Sequence, residues 1–198
     1  MLKFILPAAF VIMVIAQLYV PASMIMESEK VLKEGEEFKF KTAPVDPNDP
    51  FRGKYVSLNF DATNFRFITK DTFNYREKVF VSFTTNDNGF AEISDVSKSI
   101  PETESYVIAA VNSFIEGDTA TISVDYPFYR FYMEESKAYN AELAYNESAR
   151  DTNQTTYALV SIRNGDAVIK DVIINGIPIR QAAMDYKPHP NAEDSLGF

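Results

Sequence analysis

From Phe4 to Val20 the chain is apolar apart from Gln17, and the residues after Glu27 carry the alternating pattern of a water-soluble β-rich body. At about 1.5 Å per residue, that first run extended through Ala22 covers most of a ~30 Å hydrocarbon core and crosses it with little tilt. Pro7 falls in the first turn, where a missing N–H is tolerated. An N-terminal anchor followed by one domain is the expectation.

Lys3 precedes the run, whereas Glu27 and Glu29 follow it with Lys30. The basic residue marks the cytoplasmic side, so the body faces out of the cytoplasm. Val20-Pro21-Ala22 offers a cleavage site for a signal peptidase. The run exceeds a usual signal core, however, and Pro21 adjoins the scissile position, which favours an uncleaved anchor. With no cysteine, acylation at a lipoprotein site is excluded.

The anchor takes residues 1–23, the β-rich domain 24–184, and a disordered tail 185–198 is expected from its mix of Pro, Asp, Glu and Gly. Lys3 is the only charge of the anchor, so the remainder carries 18 − 28 = −10. Phosphate backbones repel such a surface, and nucleic acid is not an expected partner. Absent cysteine also rules out disulfides and thiolate metal sites. Packing must stabilise the domain, and 16 Phe and 11 Tyr supply stiff side chains for a β core.

Period-two alternation marks strands at Phe38/Phe40, Val56/Leu58/Phe60, Phe65/Phe67, Val79/Val81/Phe83 and Ala120/Ile122/Val124. Asn86-Asp87-Asn88-Gly89 predicts a hairpin into Phe90–Val96, and Tyr106–Ile115 reads as a central strand. Asn164-Gly165 and Asn175-Gly176 predict two more tight turns, the second leading to a strand Ile177–Ile179 that ends the fold in a meander. Glu134–Ala149, rich in Ala, Glu and Lys, predicts one surface helix. The fold class is therefore mainly β: an antiparallel sandwich or partly closed barrel of about nine to eleven strands, with one surface helix, behind a transmembrane helix.

Gly53-Lys54-Tyr55-Val56-Ser57-Leu58-Asn59-Phe60, preceded by a loop with Pro44, Asp46, Pro47, Asn48, Asp49, Pro50 and Arg52, resembles the motif that names the GDYXXLXY family. Gly89-Phe90-Ala91, Tyr129-Arg130-Phe131-Tyr132 with Glu134, and the anchor with its following Glu-rich residues extend the likeness over most of the chain. Lys54 stands where the family has Asp, and Phe60 where it has Tyr. A reversed charge at position 54 argues that this motif position does no chemistry. The resemblance implies a membrane-anchored protein of unassigned activity that works beside polytopic membrane proteins, and it carries over no catalytic residue.

Asp46, Asn48, Asp49 and Arg52 gather oxygen ligands and a cation, but Asp before Pro bonds its own turn and Arg52 can pair with either carboxylate. No metal and no cofactor are expected. The loop instead sets the entry to the motif strand, with Arg52, Gly53, Tyr55 and Leu58 as binding candidates. A second candidate group is Tyr129, Arg130, Tyr132 and Glu134, where Tyr126, Phe128 and Phe131 complete an aromatic cluster around one cation. Such a cluster serves as a hot spot for a partner, or packs as a strand edge with Arg130 held by Glu134.

His189, alone of its kind and between prolines, cannot build a triad or a histidine metal cluster. A catalytic alternative is a membrane-tethered serine hydrolase of signal-peptidase-like type, with Ser23 as nucleophile and Lys78 as base, although the residues that should follow such a serine are missing. A pilin-like role is not expected, because the anchor lacks an acid and passes into strands. The Asn146-Glu147-Ser148 and Asn153-Gln154-Thr155 sequons matter only in a eukaryotic secretory source. The expected function is a non-catalytic accessory or binding module, single-pass in the cytoplasmic (inner) membrane of a bacterium with its C-terminal domain in the periplasm, contacting another envelope membrane protein. A small-ligand carrier, which needs a β-wall around an apolar cavity, is the third reading.

Overall fold

Helix α1 (Leu2–Glu34) does not stop at the expected anchor boundary; it continues for a further eleven residues beyond position 23. The computed structural model describes residues 2–43, 55–69, 71–151 and 154–186. Within Ala9–Glu34 an 18-residue window reaches a mean hydropathy of 2.0 with 0% of it buried, so this helix is long and apolar enough to cross a membrane. The extension arises because Met24 to Glu34 contains neither Gly nor Pro and adds a Glu29–Lys33 pair at i,i+4, 3.1 Å apart. Gly35 ends it, its N–H donating to the Val31 carbonyl at 2.9 Å.

The last turn of α1 is also part of the domain. Val31 is buried, and Ser161 donates its hydroxyl to the same Val31 carbonyl at 2.7 Å. Arg163 pairs with Glu34 and, at 3.3 Å, with Glu104. The expectation that the anchor passes straight into a strand is thus corrected: an amphipathic helical turn intervenes and docks.

Twelve strands follow among the described residues. The first sheet has the order β12-β11-β10-β1-β3, with β1 (Glu36–Ala43), β3 (Asn59–Phe60), β10 (Thr156–Arg163), β11 (Asp166–Ile174) and β12 (Ile177–Pro178). The second runs β4-β8-β7-β5-β6, with β4 (Asn64–Phe67), β5 (Lys78–Thr85), β6 (Ala91–Ser97), β7 (Tyr106–Ile115) and β8 (Ala120–Asp125). A two-stranded ribbon joins β2 (Tyr55–Ser57) to β9 (Arg130–Tyr132). All strand pairs are antiparallel. The two sheets curl into a nearly closed, barrel-like wall, as expected for a mainly β fold.

Turn chemistry sets the register. Asn164 and Gly165 have φ of 50° and 96°, and Asn175 and Gly176 have 50° and 81°, so both Asn-Gly pairs close two-residue hairpins. Gly165 also ties the sheets together: its N–H bonds Tyr106 at 2.9 Å, and its carbonyl accepts from Ile108 at 3.0 Å. The Asn86–Gly89 hairpin forms as well, with the Asn86 side chain accepting from the N–H groups of Asn88 and Phe90 at 3.0 and 3.1 Å. Tyr106–Ile115 is central, flanked by β5 and β8.

Inward faces of the strands meet in an aromatic core. Phe40, fully buried, lies edge-on to Phe60, Phe83, Tyr126 and Phe128 with ring centroids 5.1–5.8 Å apart. Burial pushes the Tyr126 phenol well above its usual pKa, and its hydroxyl donates to the Ala62 carbonyl.

Helix α2 (Glu135–Arg150) forms where expected but is not purely a surface element. Ala138, Ala141, Tyr145 and Ser148, spaced three and four apart, are buried on one face. The meander has a different ending too: Ile179 does not close a strand but opens α3 (Ile179–Asp185), burying Ile179 and Ala183 beside α2. Among the described residues there are three helices where one plus the anchor was expected. The tail from residue 187 on, His189 included, lies outside the described residues.

Candidate functional site

The motif strand changes sheets in its middle. Tyr55, Val56 and Ser57 pair with Tyr132, Phe131 and Arg130, whereas Asn59 and Phe60 pair with Ala43 and Thr42 of β1. Leu58 is the pivot, its N–H donating to the Tyr129 carbonyl at 2.9 Å and its side chain buried. Phe60 is likewise buried in the aromatic core, where a phenol in its place would need a buried hydrogen-bond partner. The Leu and the last aromatic of the motif therefore lie inside the domain, whereas Tyr55, half-buried, reaches its edge. Arg52, Gly53 and the oxygen-rich loop of Asp46, Asn48 and Asp49 fall outside the described residues.

Alternation on the ribbon divides the aromatic cluster. Tyr126, Phe128 and Phe131 point into the core, while Tyr129 and Tyr132 stay exposed. Between them, the Arg130 guanidinium carbon sits 4.9 Å from the centre of the Tyr55 ring and 4.6 Å from that of Tyr129. Tyr55 and Tyr132 face each other across the ribbon at 5.7 Å. A hydrogen bond with Tyr132 raises the Arg130 pKa further, so the cation is permanent. Its Nε is buried and has no hydrogen-bond partner among the described residues.

Glu134 does not hold Arg130, contrary to the sequence-based pairing. It sits at the mouth of α2 and pairs with Lys137, one turn along, at 2.9 Å, which draws its carboxyl below the usual range. An i,i+3 helical neighbour wins over a strand residue that points elsewhere. Tyr55, Tyr129, Arg130 and Tyr132 come together as one outward patch, and Leu58 and Glu134 do not join it. Arg180 of α3, over the Phe131 ring at 5.3 Å, braces the ribbon from the inner side and carried no sequence signal.

The two residues of the catalytic alternative are placed apart in kind. Ser23 lies within α1 and donates its hydroxyl to the Val20 carbonyl at 2.8 Å, a bond internal to the helix. Lys78 opens β5, in the sheet that α1 does not pack against, since α1 meets β10 and β11. Among the described residues no group of His, Asp and Glu could hold a metal ion.

An N-terminal apolar helix, a mainly β body, and a strand in which Tyr55 and Leu58 are spaced as in the motif define a class of membrane-anchored β domain. The chain belongs to the GDYXXLXY protein family, whose model matches residues 17–172. No curated protein and no solved structure gives a match.

Proposed function

We propose that the chain is a non-catalytic accessory module, tethered by α1 in a bacterial cytoplasmic membrane with its β domain in the periplasm, and that it grips another envelope membrane protein through Tyr55, Tyr129, Arg130 and Tyr132. The observation that carries this reading is Arg130, clasped between two tyrosine rings with a buried Nε that lacks an acceptor among the described residues. A buried donor without a partner costs about 1–3 kcal/mol, which an acceptor brought by a second protein would recover. Tyr129 and Tyr132 add exposed aromatic area, and Tyr and Arg are the residue types that dominate interface energetics. The helix-internal bond of Ser23 counts against that serine as a nucleophile.

The test is photo-crosslinking in intact bacterial membranes from a probe at Tyr132. The reading expects one membrane protein to be captured, with capture lost in Arg130→Ala and kept in Lys170→Ala. Capture that ignores Arg130→Ala would overturn the aromatic face, and a domain shielded from membrane-impermeant reagents in spheroplasts would overturn the orientation.

A further inference from the structure

Next to the ribbon lies an open groove of about 790 Å³, lined from β3, β5, β7, β8 and the segment leading into β9. Its size is that of a small-molecule site, roughly 300–1,000 Å³. Its lining includes the apolar Ile108, Ala110, Pro127 and Tyr129. Arg76 and Lys78 line it as well, Lys78 directly across from Ala110.

These two cations lie two residues apart at the groove, in a domain of charge −10. Elsewhere Lys41 pairs with Asp61, Lys98 with Glu77, Lys137 with Glu134, Lys170 with Glu37, and Arg163 with two glutamates. Arg76 instead leans on the Tyr75 ring at 5.1 Å, and neither it nor Lys78 has an ion pair among the described residues. The groove's carboxylate, Asp125, does not neutralise Lys78. Lys78, Ala110 and Asp125 are successive cross-strand neighbours, which sets the two backbones two strands, roughly 10 Å, apart, and no ion pair joins the two side chains.

Backbone geometry reinforces the arrangement. Arg76 has φ of 67°, a region that a side-chain-bearing residue enters at a cost, and it is pinned there because its N–H donates to the Val111 carbonyl at 2.8 Å while the Val111 N–H donates to Glu77 at 2.9 Å. The pinned backbone fixes where the guanidinium emerges, at the groove and two residues from Lys78.

We propose that this groove binds an amphipathic carboxylate of fatty-acid type, with the head between Arg76 and Lys78 and the apolar body along Ile108, Ala110, Pro127 and Tyr129. A single negative charge matches two cations beside one acid. A polyanion would meet Asp125 and the acidic field of the whole domain. This inference does not rest on the aromatic patch having a partner.

Decanoate is the probe, titrated into the full chain held in nanodiscs of zwitterionic lipid, with empty nanodiscs as the blank. Saturable binding is expected, weakened about tenfold in Arg76→Gln or Lys78→Gln by loss of a charge-assisted contact. Retention in Lys78→Arg, weakening at high salt, and failure of 1-decanol and of inorganic phosphate to compete are also expected. The high-salt arm uses the wild-type chain, so the result does not depend on a variant folding. Equal competition by 1-decanol would overturn the role of the cations, displacement by phosphate would overturn the apolar body, and absence of saturable uptake would overturn the site.

Discussion

The hydroxyl of Ser161, on β10, donates to the carbonyl of Val31, on the apolar N-terminal helix, at 2.7 Å across 130 residues of sequence. Gly35 makes this contact possible. A Cβ there would lie 2.5 Å from the Val31 oxygen, 2.7 Å from the Ser161 Oγ and 2.9 Å from the Ile162 oxygen. Gly35→Ala is expected to cost about 1–3 kcal/mol by overpacking, and Ser161→Ala nearer ~1 kcal/mol because the Gly35 N–H still satisfies the carbonyl. Thermal unfolding of the chain in detergent, with protease sensitivity at residues 31–36 as a second readout, measures both. Equal melting of the two variants would contradict the packing argument.

The two Asn-Gly hairpins separate strain from crowding. At Gly176 a Cβ meets nothing within 4 Å, whereas at Gly165 it would come 2.9 Å from two carbons of Ile108. Both residues have positive φ. Gly176→Ala should therefore cost about 1 kcal/mol from backbone strain alone, and Gly165→Ala about twice that. Pairing Gly165→Ala with Ile108→Ala should return part of the difference in urea unfolding.

Phe40 touches four other rings at the centre of the domain. Phe40→Ala is expected to lose about 3–5 kcal/mol, a large share of the ~5–15 kcal/mol that holds a domain together. Phe40→Leu should lose much less. Chemical denaturation followed by tyrosine fluorescence reads the difference.

Acid stability should depend on Glu77. Its carboxylate bonds Lys98 at 2.6 Å and accepts the Asn74 N–H at 2.8 Å, which lowers its pKa from 4.5. A depressed folded pKa means stability that is present above the unfolded value and drains away as pH falls through the folded one. Glu77→Gln should therefore melt below the wild type at neutral pH and lose less on acidification. Parallel curves from neutral pH to below the unfolded pKa would contradict this.

Much of the architecture is legible in the chain because its signals are local. Asn164-Gly165 and Asn175-Gly176 dictate positive φ wherever they occur, and Val79, Val81, Ile122 and Val124 announce an inward face by alternation alone. The unread features depend on distant partners. Glu27 to Glu34 reads as a charged linker until Ser161 and Arg163 receive it, and of its two apolar residues, Val31 and Leu32, it is Val31 that becomes buried. Ile179 and Ala183 stand four apart in a helical spacing, too short a run to override the preceding strand pattern. The switch of sheets at Leu58 leaves no trace in the alternation of Val56, Leu58 and Phe60, since all three face inward on either side of it. At the candidate site, the aromatic run was visible but its division was not: which tyrosines surface is decided by pairing with Tyr55 and Ser57 across the ribbon. The groove at Arg76 and Lys78 had no signal, because it takes strands from both sheets to enclose it.

Val31 belongs at once to the apolar N-terminal helix and to the wall of the domain, so the last turn of the one is packed into the other. A helix tilts to match the thickness of the lipid around it. With α1 in a bilayer, such a lean would carry the docked β body with it, and lipid thickness would then set the inclination at which the tyrosine–arginine face meets its surroundings.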